Sequence, residues 1–181
     1  ARGTNATWWG GGGSGGAIYI TCATFGGSTN GLLNVSGGSA IWWADAYYLG
    51  YGGGGGRIAV NYNSLDATRG VRFAATPGFG LGFMHYTYDG LSHTNGAGYR
   101  MDQGEGTLWL PDQALLSENL TSNLFTDVGL FIPGFTAWSV EHLTVSNCSV
   151  TFLNFGLTVT NNMQIIGTNG KIGVAVRKKV H

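Results

Sequence analysis

One pattern occurs twice in the chain and restricts its fold more than anything else in the sequence. Trp8-Trp9 opens a run of glycines ending at Gly16, followed by the short apolar segment Ala17-Ile18-Tyr19-Ile20. Trp42-Trp43 and Tyr47-Tyr48 likewise precede the run Gly52 to Gly56, followed by Arg57-Ile58-Ala59-Val60. Ile58 thus holds in the second unit the place that Ile18 holds in the first. An offset of this size, within the span typical of structural repeats, points to one supersecondary unit used again. A second echo is found near the end, where Leu143-Thr144-Val145-Ser146-Asn147 recurs as Leu157-Thr158-Val159-Thr160-Asn161. The 33 glycines show no Gly-X-Y period, so collagen is excluded. Glycine beside 13% aromatics implies tightly turned strands whose backbones approach closely.

The apolar segments are short and alternate with polar residues, the period of two that marks strands. They include Leu32 to Val35, Gly70 to Ala74, Thr107 to Leu110, Ser149 to Phe152, Met163 to Ile166 and Lys171 to Val176. Only Asp112 to Leu120, with Pro111 before it, suits a helical turn or two. The expected fold is therefore all-β, a glycine-rich parallel β-helix or related solenoid. The dipeptides Asn30-Gly31, Asp89-Gly90, Asn95-Gly96 and Asn169-Gly170 suit hairpins and keep a β-sandwich or jelly roll as the alternative. At 181 residues the chain forms a single repeat domain. Its parts are a glycine-rich repeat over 1–76, an insertion or long loop over 77–106, and a second β-repeat part over 107–181. In a solenoid Asn147 and Asn161 occupy equivalent, stacked corners.

Charged residues make up only 10% of the chain, nine basic against nine acidic. Nucleic acid and anionic membrane surfaces lose their electrostatic basis as partners, and no apolar run is long enough for a membrane helix. A weakly charged surface repels its copies weakly and favours self-association. The sequence begins at Ala1 without an initiator Met, and it reads as a processed product or a segment of something larger. Cys22 and Cys148 allow either one disulfide or two buried thiols.

The glycine runs, the strand Ala17 to Ile20 and the sequence Gly52 to Gly56-Arg57-Ile58-Ala59-Val60 resemble a repeat of very large secreted bacterial proteins. Gly106-Thr107-Leu108-Trp109-Leu110, Trp138, the Leu143 to Asn147 unit and Gly170-Lys171-Ile172 are similar to the segment that follows it. The resemblance implies an extracellular or cell-surface β-helical stalk, adhesin or matrix component, and no shared catalytic residues.

Candidate sites are sparse. Asp102 and Glu105 are the one close acidic pair, a calcium candidate through oxygen ligands. His85 and His93 flank Asp89, but the histidines lack zinc spacing. No nucleophile elbow or phosphate loop is present. The aromatic pairs Trp8-Trp9, Trp42-Trp43 and Tyr47-Tyr48 each place one ring on either face of a strand. They are the candidates for contact with another subunit or with a polysaccharide. The sequence thus leads to a non-enzymatic structural subunit with no cofactor. It assembles with copies of itself into an extracellular filament, sheath or surface stalk. The alternative is a carbohydrate-binding or adhesive module.

Overall fold

A computed structural model describes residues 1–6, 10–40, 51–88, 91–100 and 104–175, with 81–88 and 91–100 described by their backbone alone. Among these residues there is no helix, and hence none long and apolar enough to cross a membrane. The fold is all-β, with three parallel sheets and one antiparallel pair.

Six strands form the largest sheet: β1 (Ala17–Gly27), β3 (Arg57–Arg69), β7 (Gly106–Trp109), β10 (Val128–Phe131), β12 (Ser149–Phe152) and β14 (Lys171–Val174), in that order. Between visits the chain adds strands to two three-stranded sheets. One holds β2 (Leu32–Asn34), β4 (Arg72–Ala74) and β9 (Phe125–Thr126). The other holds β8 (Asn119–Thr121), β11 (Ala137–Ser146) and β13 (Gly156–Ile166). Every pairing within these sheets is parallel. The remaining strands, β5 (Leu81–Tyr88) and β6 (Leu91–Arg100), pair antiparallel with each other. They turn most of the expected insertion into a hairpin.

Parallel pairing in register stacks like residues. Ile18, Ile58, Leu108, Leu130, Phe152 and Val174 form one column across all six strands. Alternation turns this column inward, and Ile58, Leu108, Leu130 and Phe152 are fully buried. The two smaller sheets supply Phe73, Phe125, Leu120, Leu143 and Val145 to the same core. Phe25, Phe73 and Phe125 stack with centroids 6.2 Å apart at each step, a spacing within the favourable range for aromatic pairs. The repeat marked by the glycine runs holds residue for residue, because Ile18 pairs with Ile58.

The glycine runs approach closely, as expected, but they are not strands. Segments 1–6, 10–16, 35–40, 51–56 and 75–80 lie side by side, bonded at every third residue. Gly12 and Gly15 donate to the carbonyls of Tyr51 and Gly54, Gly13 and Gly16 to Thr4 and Ala1, and Gly53 and Gly56 to Gly38 and Val35. Such a period is that of a polyproline-II helix, which has no internal hydrogen bonds and presents its amides to neighbours. A methyl group at Gly15 would overlap the Val35 carbonyl, and one at Gly38 the Thr4 carbonyl. Only hydrogen fits there.

Three further expectations are corrected. Residues 112–118 contain turns and bends rather than a helix, and Asn119 and Leu120 begin β8. The Asp112 carboxylate accepts Ala114 N–H at 2.8 Å, a local bond that competes with helix formation. The Leu-x-Val-x-Asn echo is not the structural register, since Leu143 pairs with Met163 and Trp138 with Leu157. Asn147 and Asn161 are therefore not equivalent. Asn147 sits in a left-handed turn (φ 51°) after β11, whereas Asn161 lies within β13 near Glu141.

Candidate functional site

Two regions have exposed groups that the core does not use. The first is the end of the fold formed by β13 and β14. Leu120, Val145 and Ile165 form one inward column, in which Leu120 and Val145 are 0% exposed and Ile165 is 52% exposed. Met163, beside buried Leu143, is 41% exposed, and Val174, beside buried Phe152, is 44% exposed. These residues have the inward orientation of core residues, and among the described residues no further layer covers them. At the opposite edge of the six-stranded sheet, β1 begins the column that Val174 ends. Its Ile18 and Ile20 are only half-buried, while Ile58 and Val60 beside them are fully buried.

The second region is the outer face of the six-stranded sheet. The register places Tyr19, Ala59, Trp109 and Phe131 in a single row. With Arg57, Thr107 and Leu153 they line a shallow groove of about 430 Å³. Tyr19 is 74% exposed. At the entry to the sheet, Glu105 and Asp127 immediately precede the adjacent strands β7 and β10, and Ser149 and Lys171 begin β12 and β14. These four line a cleft of about 550 Å³ with Thr151 and Asn169. Among the described residues none of the four side chains forms an ion pair or hydrogen bond, although Ser149 is only 8% exposed. Asp127 adopts φ 47°, a left-handed conformation that Asp tolerates better than most residues.

The residues expected from sequence are placed unevenly. Trp8, Trp9, Trp42, Trp43, Tyr47, Tyr48 and Asp102 lie outside the described residues. Glu105, the other half of the calcium candidate, faces the cleft with Asp127 as its acidic neighbour. His85 and His93 lie on the two strands of the hairpin. No group of three or more His, Cys, Asp or Glu that could hold a metal ion is found among the described residues.

The possible disulfide is corrected: Cys22 and Cys148 are both free thiols. Cys22 is on the outermost strand, β1, and Cys148 immediately precedes β12, four strands away across the sheet. At about 4.8 Å per strand that is roughly 19 Å, far beyond the ~7 Å Cα limit for a bridge. Burial pushes the Cys148 thiol up from its ordinary pKa.

The lateral rows escaped sequence reading, yet a signal for them exists. Glu105, Asp127, Ser149 and Lys171 recur at one constant spacing, and Thr107, Gly129, Thr151 and Gly173 recur at the same one. A scan for known families gives no match, and neither a curated protein nor a solved structure matches the chain.

Proposed function

We propose that the chain is a β-helical structural segment of an extracellular filament or stalk, joined end to end with copies of itself and carrying no catalytic role. The observation that carries this reading is the column Leu120–Val145–Ile165, buried at its first two members and half-exposed at the third. Burying a side chain of this size stabilises by about 1.5–3 kcal/mol. Met163 and Val174 offer comparable gains on the same surface.

The occupant of that end is a second copy, because β1 supplies the matching surface. Its Ile18 opens the column that Val174 ends. Seating one copy's β1 edge on another's β14 continues the parallel pairing and buries both half-open layers. Such a contact is heterologous and leaves a free end of each kind, so repetition gives a filament. The low charge removes the repulsion that would oppose it.

Sedimentation velocity across a concentration series tests this reading, with Ile165→Lys as the comparison. A lysine in the open column introduces a charge where a layer must pack. The wild type is expected to grow with concentration, while the variant stays at the subunit mass with an unchanged circular dichroism spectrum. A wild type that remains a small single species at every concentration contradicts the proposal.

A further inference from the structure

We propose that the outer face of the six-stranded sheet binds a neutral saccharide chain, hydrogen-bonded by Glu105, Asp127 and Ser149 and stacked on Trp109, Phe131 and Tyr19. This site uses outward-facing side chains and not the core columns, although Tyr19 and Lys171 stand on β1 and β14, the strands that the end-to-end contact joins.

The cleft has the features of a built site. Ser149 is 8% exposed, lines a volume of about 550 Å³ and makes no hydrogen bond among the described residues. The unpaired Ser149 hydroxyl opens onto the cleft, so a ligand atom there can meet it as donor or acceptor. Glu105 and Asp127 stand beside it with their carboxylates unpaired, and Lys171 follows with its ammonium unpaired. The volume lies within the range of small-molecule sites.

The mixture of charges selects the ligand class. A divalent cation meets the Lys171 ammonium in the same cleft. A phosphate or carboxylate ligand meets two carboxylates. Ionised carboxylates only accept hydrogen bonds, and an ammonium only donates. A sugar hydroxyl does both, so adjacent hydroxyls of one ring satisfy both kinds of group without carrying charge. The second half of the site requires a ligand with an apolar face. Trp109 follows Glu105 along the strand at a distance of about 13 Å, taking about 3.3 Å per residue. It faces the same side, with Phe131 and Tyr19 in its row. The C–H face of a pyranose ring stacks on such aromatic surfaces, which present a large apolar area. A chain of several sugar units reaches from the cleft to the row.

The test is calorimetric titration with neutral gluco-, manno-, galacto- and xylo-hexasaccharides, and separately with calcium chloride. At least one hexasaccharide is expected to bind. Asp127→Asn and Trp109→Ala should each weaken it by about tenfold or more, as loss of a charged hydrogen-bond acceptor or a stacking surface does. Asn tolerates the left-handed backbone at position 127, so that variant removes the charge and keeps the fold. If Trp109→Ala fails to fold, Tyr19→Ala on the outermost strand replaces it. Thr158→Ala, exposed on a different sheet, should leave binding unchanged. Absence of binding to every hexasaccharide, binding indifferent to the variants, or calcium binding that Asp127→Asn abolishes without any saccharide binding overturns the proposal.

Discussion

At the scale of single residues, Tyr62 shows how the interior absorbs a polar group. Its side chain is buried, and its hydroxyl donates to Asp112 Oδ1 at 2.8 Å, the same oxygen that accepts Ala114 N–H. Burial first, and then the Asp112 carboxylate, hold the phenol well above the usual tyrosine range. The folded chain therefore keeps this proton to higher pH than the unfolded chain does. The stability it contributes is complete below the ordinary tyrosine value of about 10 and is lost as pH rises through the folded value. Thermal unfolding of the wild type should consequently fall faster with pH above about 10 than that of Tyr62→Phe. A gap between the two that stays constant up to about pH 12 contradicts the assignment. Nothing in the sequence paired Tyr62 with Asp112, because 50 residues separate them. Asn154 was equally illegible: it bonds Ile132 through both amide atoms and Phe135 through its nitrogen, closing a turn that only the folded chain brings together.

At the scale of elements, legibility depended on how far the local pattern and the true register agreed. The strands Ser149 to Phe152 and Lys171 to Val174 were readable because alternation and register coincide there. The repeat that pairs Ile18 with Ile58 was readable because the aromatic pairs and glycine runs mark it. The Leu-x-Val-x-Asn echo misled, because similar words lie in β11 and β13 at offset positions, while pairing follows the column Leu143–Met163. The constant spacing of the lateral rows was missed because its members differ in chemistry: Glu105, Asp127, Ser149 and Lys171 share a position and little else. The form of the glycine runs was not legible, because composition reports permissiveness and not which extended form is adopted. Their packing gives a sharp test. Gly38→Ala drives a methyl into the Thr4 carbonyl, whereas a methyl at Gly156 meets nothing within 4 Å. Chemical denaturation should show Gly38→Ala losing about 3 kcal/mol or more and Gly156→Ala changing by no more than about 0.5 kcal/mol. Equal effects at the two positions would remove the close-packed account of the runs.

At the scale of the whole molecule, the structure combines an inward set of residue columns with an outward row of side chains on the six-stranded sheet. On the proposed reading, the columns are extended by another copy at each end, and the outer face of the six-stranded sheet is left to meet a saccharide. The all-β class was legible from alternation and from the near absence of helical periodicity. The exposure of Met163 and Ile165 was not, because both read in sequence like any buried strand residue. Only the register shows that their columns lie open. End-to-end stacking also fixes a length. Six strands span one copy of the sheet, and at about 4.8 Å per strand the subunit advances the filament by about 29 Å. The decisive measurement is electron microscopy of the purified chain at several concentrations, with the axial repeat taken from averaged images. Unbranched filaments of constant width, with an axial repeat of about 29 Å, are the predicted result. Dispersed particles at every concentration, or filaments lacking that repeat, would contradict assembly through the open columns.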